Sequence, residues 1–132
     1  MKQLAKGNDL SDRSERYVQF IQELAKFNGT PFLSLLRLEC DEFLQRFPGH
    51  PQTEIVLEIK EGSLLREKRF VMASSGYRRL VNIYPDSPLR PARLLILGGI
   101  YCDQLKQYEL AVATFEQIIV DYPDHGKALT AH

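Results

Sequence analysis

Apolar positions along the chain fall into three copies of one stripe. Leu33, Leu36, Cys40, Phe43, Leu44 and Phe47 form the first. Phe70, Ala73, Tyr77, Leu80, Val81 and Tyr84 form the second, and Tyr108, Ala111, Phe115, Ile118, Ile119 and Tyr122 the third. The offsets are the same each time, 0, +3, +7, +10, +11 and +14, and all 18 positions are apolar. At 3.6 residues per turn these offsets return to one side of a helix, so each copy predicts an amphipathic helix with one buried face. Each stripe ends on an aromatic residue followed by proline: Phe47-Pro48, Tyr84-Pro85 and Tyr122-Pro123. Proline cannot donate to the preceding turn and its ring clashes with it, so the helix stops there. Gly49, Asp86 and Asp124 suit the tight turn that follows. The prolines stand 37 and 38 residues apart.

A less regular helix precedes each stripe. Tyr17, Phe20, Ile21, Leu24 and Phe27 mark the first, opened by a cap at Ser11 or Asp12 and closed by Asn28-Gly29. Ile55, Val56, Ile59 and Leu64 mark the second, and Leu94, Leu95, Leu97, Ile100 and Tyr101 the third. The pattern predicts six helices at about 12–27, 31–47, 52–67, 70–84, 89–105 and 108–121, and nothing competes with a strand period. Residues 127–132 read as the start of a seventh helix, cut off. The expected class is all-α. Residues 1–11 form a disordered N-terminal tail, and 12–132 a single domain with units at about 12–51, 52–88 and 89–126. One helix pair cannot bury its own stripe, whereas stacked pairs share a continuous core.

Leu97-Gly98-x-x-Tyr101, Tyr108-x-x-Ala111-x-x-x-Phe115 and Pro123 together resemble the tetratricopeptide repeat, with one extra residue between Tyr101 and Tyr108. Phe70, Ala73, Tyr77 and Pro85 keep the pattern in the second unit, whose first helix lacks the Leu-Gly pair around Gly62. The first unit departs further, with Leu36 in the small-residue slot and Cys40 in the aromatic one. The resemblance covers roughly residues 12–126. It implies a right-handed α-α superhelix of about three helix pairs, in which small residues admit close packing and aromatic residues fill the space between.

The resemblance also implies binding rather than catalysis, because in this family the stacked first helices line a concave groove for a peptide or partner helix. In that register Ala92, Leu95, Gly99, Cys102 and Asp103 face the groove in the third unit. Ile55, Glu58, Gly62, Leu65 and Arg66 do so in the second. These positions lack the Lys and Asn set with which some family members clamp a C-terminal carboxylate on chaperones, which disfavours a chaperone-tail receptor. The turns Tyr84-Pro85-Asp86-Ser87-Pro88 and Tyr122-Pro123-Asp124-His125 are similar to those of bacterial cell-envelope repeat proteins, of the outer-membrane assembly lipoprotein and Tol–Pal coordinator type. That likeness implies a periplasmic or envelope-associated protein whose leader has been removed; without a leader the expected compartment is the cytoplasm.

Composition adds limits. The chain has 132 residues, 44% hydrophobic and 26% charged, with 17 basic and 17 acidic side chains, which suits one soluble globular domain. Net neutrality argues against nucleic-acid binding through bulk charge. No apolar run approaches the roughly 18 residues of a transmembrane helix, so membrane contact is expected only through an anchor on a parent protein. The neutrality is uneven. Arg66, Lys68, Arg69, Arg78, Arg79, Arg90 and Arg93 stand against Glu67 and Asp86, a net of +5 over residues 66–93. Residues 1–65 carry −2 and 94–132 carry −3. The middle block predicts a basic surface for an acidic partner or anionic headgroups.

Candidate chemistry is sparse. The sequence has no G-x-S-x-G, no H-E-x-x-H and no Gly-rich loop ahead of Lys-Ser/Thr. Cys40 and Cys102 lie 62 positions apart without a C-x-x-C pair, and read as free thiols. His50 and His125 occupy equivalent turns and read as turn residues, not metal ligands. Glu54, Glu58 and Glu61 read as a solvated helix face. No catalytic residue, metal or cofactor is expected. The chain reads as a non-enzymatic protein-interaction scaffold. The rival is a structural module that stacks through its open ends against a second copy or the rest of a longer chain.

Overall fold

The apolar stripes become helices at nearly the expected bounds. In the computed structural model, which describes residues 2–27 and 29–124 and the side chains of 13–27, 29 and 31–124, α1 spans Lys2–Leu24, α2 Thr30–Arg46 and α3 Thr53–Arg66. Helix α4 spans Phe70–Ile83, α5 Arg90–Gly99 and α6 Tyr108–Asp121. No strand occurs among the described residues, so the fold is all-α. Helix α1 starts at Lys2, ahead of the cap expected at Ser11 or Asp12, and takes in most of the segment read as a tail. That stretch contains no proline, and Gly7 and Asn8 lower helix propensity without barring it. The seventh helix, expected over 127–132, lies outside the described residues.

The three stripe helices end alike. Their terminal aromatics Phe47, Tyr84 and Tyr122 have φ of −125°, −117° and −136° and ψ of 62°, 67° and 74°. A following proline pushes its predecessor out of the helical region, which accounts for the shared geometry. Each aromatic amide still donates to the carbonyl four residues back, on Phe43, Leu80 and Ile118.

The difference between spacings of 37 and 38 has a structural location. Stripe to proline is 15 residues in every copy, but Pro48 to Phe70 is 22 and Pro85 to Tyr108 is 23. Helix α5 runs on into a π-helical turn, Ile100–Gln104, where the Leu105 amide donates to the Ile100 carbonyl at 3.0 Å. A π-turn takes up one residue within a helix without moving its ends around the axis, so the additional residue is absorbed here.

The chain divides into two compact units, Met1–Glu67 and Lys68–His132. In the first, α2 packs against α1 and α3. Its core joins Val18, Ile21 and Leu24 to Leu33, Leu36, Cys40 and Phe43, with Val56 from α3. Tyr17 stands edge-on to Phe43 at 5.6 Å, and Phe43 edge-on to His50 at 5.2 Å. The Gln52 amide donates to His50 Nδ1 at 2.9 Å, which leaves Nε2 to meet Ser14 Oγ at 2.9 Å. His50 thus fastens its turn to α1, in keeping with the turn-residue reading. In the second unit α5 packs against both α4 and α6. Its core draws Ala73, Tyr77, Leu80 and Val81 from α4, Leu94, Leu97, Ile100 and Tyr101 from α5 and its π-turn, and Ala111 and Ile118 from α6. Stripe offsets +3 and +10 are buried in all three copies.

Candidate functional site

The expected groove positions lie on helix faces turned away from the cores. On α3, Ile55 and Arg66 are exposed, and Glu58, Gly62 and Leu65 are half-buried. Arg66 Nη1 donates to the Ala25 carbonyl at 2.7 Å, which ties the end of α3 to the end of α1. On α5 and its π-turn, Ala92, Leu95 and Asp103 are exposed, and Gly99 and Cys102 are half-buried. This strip opens outward because α5 buries its other side, Arg90, Arg93, Leu94 and Leu97. A side chain added at Gly99 would meet nothing within 4 Å, so the face is open there. The α3 and α5 strips belong to different compact units.

The basic set is only partly exposed. Arg66 lies in the first unit and the other six lie in the second. Lys68, Arg69 and Arg79 are exposed, whereas Arg90 and Arg93 are buried, Arg93 at 0% exposure. Arg90 Nε donates to the Val81 carbonyl at 3.0 Å, and its Nη1 donates to Asp121 Oδ2 at 3.0 Å and to the Tyr122 hydroxyl at 3.2 Å. The bond to Tyr122 holds the Arg90 pKa above its ordinary value; burial opposes this and Asp121 adds to it. Arg78 is half-buried; its Nη2 donates to Thr114 Oγ1 at 3.1 Å and its guanidinium lies 5.9 Å from the Tyr101 ring centroid. Positions 90, 93, 94 and 97 recur at helical spacing, so the two arginines fall on the buried side of α5. Read as charges they belong to a basic block; read as positions they belong to the core.

Other polar groups also lie inward. Glu61 is buried, against the expectation of a solvated carboxylate row. Arg37 donates to Ser63 Oγ at 3.2 Å and pairs with Glu67, linking α2 to the end of α3. Tyr17 donates to Glu39 Oε1 at 2.6 Å beside a surface cavity of about 1100 Å³ between α1 and α2, lined by Arg13, Arg16, Phe20, Leu38 and Arg46. Burial, then the bond to Glu39, raises the Tyr17 pKa. Leu38, an apolar residue outside the α2 stripe, and Phe20, taken as a marker of α1 yet exposed, are the signals that could have pointed to this cavity. Burial also pushes the Cys40 thiol up to about 12, while Cys102 is half-buried. Among the described residues no group of His, Cys, Asp or Glu is arranged to hold a metal ion, and no helix is long and apolar enough to cross a membrane.

The α5–π-turn–α6 hairpin carries the Leu97-Gly98, Tyr101 and Ala111 packing on which a comparison can be judged. Residues 94–125 match the family model of the tetratricopeptide repeat. The match starts within α5, spans the π-turn and continues past the end of α6, and so supports the tetratricopeptide family. Tetratricopeptide repeats generally mediate protein–protein interactions and are typically non-enzymatic. No curated protein and no solved structure matches the chain.

Proposed function

We propose that this chain is a non-enzymatic protein-interaction scaffold that presents its first-of-pair helices to a peptide or partner helix. The observation that supports this most directly is the open strip Ala92, Leu95, Gly99, Cys102 and Asp103, which overlaps the segment matching the tetratricopeptide repeat. An exposed leucine, small residues that admit a close backbone and one carboxylate suit an amphipathic helix or an extended segment. On α3, Ile55, Glu58, Leu65 and Arg66 supply a second strip of the same mixed character. The exposed Lys68, Arg69 and Arg79 add positive charge that would favour acidic segments of a partner. The Tyr-Pro-Asp turns, similar to those of bacterial envelope repeat proteins, support an envelope assembly as the setting.

Photo-crosslinking in the native cells tests the reading. A photoreactive residue replaces Leu95, Ile55 or, as control, the exposed Asn82 of α4. Adducts with one common protein from positions 95 and 55, absent from 82 and lost when Cys102→Arg is added, are expected. Equal adducts from all three positions, or none from 95 and 55, overturn it.

A further inference from the structure

Along one edge of its stripe, each stripe helix carries a strip at offsets 0, +4 and +11, of which only +4 lies outside the stripe itself. On α2 it consists of Leu33, Arg37 and Leu44. Leu33 is buried, Leu44 is half-buried, and Arg37 meets Ser63 and Glu67 at the end of α3. On α4 it consists of Phe70, Ser74 and Val81. Ser74 and Val81 are buried, and Arg90 of α5 donates to the Val81 carbonyl. On α6 the same offsets hold Tyr108, Val112 and Ile119, which are 57%, 55% and 46% exposed. No helix among the described residues covers them. Val120, one position on, is 75% exposed.

The face has a definite charge. Helix α6 contains no basic residue. Glu109 and Glu116, both exposed, stand seven residues apart and so line one edge of the apolar strip. Tyr108, Glu109, Val112, Ala113 and Glu116 surround a shallow concavity of about 330 Å³. From Tyr108 to Ile119 the strip runs about 16 Å at the usual helical rise, the length of three turns.

We propose that this face of α6 docks a basic amphipathic helix of a partner protein. The occupant's apolar edge seats on Tyr108, Val112 and Ile119, and its Lys or Arg residues pair with Glu109 and Glu116. The helical form follows from the fold, because the corresponding strips of α2 and α4 each take a helix. The basic character follows from the acidic edge. A second copy of α6 would set Glu109 and Glu116 against like charges, which disfavours a symmetric pairing through this face. The surface is separate from the α5 strip proposed above.

The test uses the full chain and two labelled 18-residue peptides, each with leucines along one side, the remainder lysine in one and glutamate in the other. Fluorescence anisotropy should show saturable binding of the basic peptide, at least tenfold tighter than the acidic one. Val112→Asp should weaken it tenfold or more, and Glu109→Lys with Glu116→Lys should reverse the preference. Leu95→Glu should leave it unchanged. Circular dichroism checks folding; if Val112→Asp unfolds, the milder Val112→Gln and Ile119→Gln serve, with a threefold or greater loss expected. No saturable binding, equal binding of both peptides, or loss through Leu95→Glu overturns the proposal. Sedimentation that shows self-association abolished by Val112→Gln assigns the face to a second copy and overturns it as well.

Discussion

The ring of Phe115 occupies the space that a side chain on Gly98 would need. A Cβ built there would stand 2.5 Å from Phe115 Cε1 and 2.7 Å from Cζ, far inside contact distance. Gly98 therefore sets how closely α5 approaches α6. Gly98→Ala should lower stability by about 1–3 kcal/mol through overpacking, despite alanine's helix preference of about 1 kcal/mol. Gly99→Ala, in open space on the same helix, should be neutral or raise stability by up to about 1 kcal/mol. Urea unfolding of both variants checks the pair. Phe115→Leu added to Gly98→Ala should recover part of the loss, and strict additivity would deny the contact.

The π-turn at Ile100–Gln104 yields a second expectation. If it houses the one residue by which the third unit exceeds the second, removing that residue should leave an ordinary helix. Deletion of the exposed Asp103 should retain the helical circular dichroism and cooperative unfolding, because the buried Tyr101 and Ala111 on either side keep their packing. The same deletion at Glu58, inside the regular helix α3, rotates everything after it by about 100° and should collapse the first unit. Similar behaviour of the two deletions would remove the π-turn from the account.

Lys68 and Lys106 hold positive φ, 63° and 55°, in the turns that lead into α4 and α6. A left-handed conformation costs a side-chain-bearing residue about 1–2 kcal/mol. Glycine adopts it freely but loses more chain entropy on folding. Lys68→Gly and Lys106→Gly should each raise stability, by no more than about 1 kcal/mol. Lys106→Val should lower it, because a β-branched side chain tolerates positive φ least. Thermal melts of the three variants decide between relief and loss.

Periodicity carried most of the fold, and its failures have physical causes. The stripes placed α2, α4 and α6 within a residue or two, because a buried face and a following proline leave little choice. The additional residue of the third unit was countable, but a count does not say whether a loop or a helix absorbs it. Arg90 and Arg93 were misplaced because charge suggests the surface, whereas an arginine can meet a carbonyl, a carboxylate and a hydroxyl inside, as Arg90 does. Tyr108 and Ile119 matched the stripe yet stay exposed, since the pattern records what a face is suited to bury and not whether a neighbour is present. The outward strips on α3 and α5 came from family register, not from periodicity.

The thiols provide the last expectation. Cys40 sits in the core of the first unit between Leu36 and Phe43, and burial, reinforced by Asp41, lifts its pKa from 9.0 to about 12. The unfolded chain releases this proton near the ordinary value and the folded chain only at the higher one. The folded state therefore binds more protons over that interval, and stability falls with rising pH. The contribution is complete below about pH 9 and is lost progressively as pH climbs toward 12. Urea unfolding from pH 7 to 10.5 should show an alkaline decline that Cys40→Val reduces. A decline remains in that variant, because Tyr17 is also raised and acts in the same direction. In the native protein at pH 8 a thiol reagent should label Cys102, half-buried on the π-turn, and reach Cys40 only on unfolding. Equal labelling rates for the two cysteines in the folded chain would contradict the packing of Cys40 in the core.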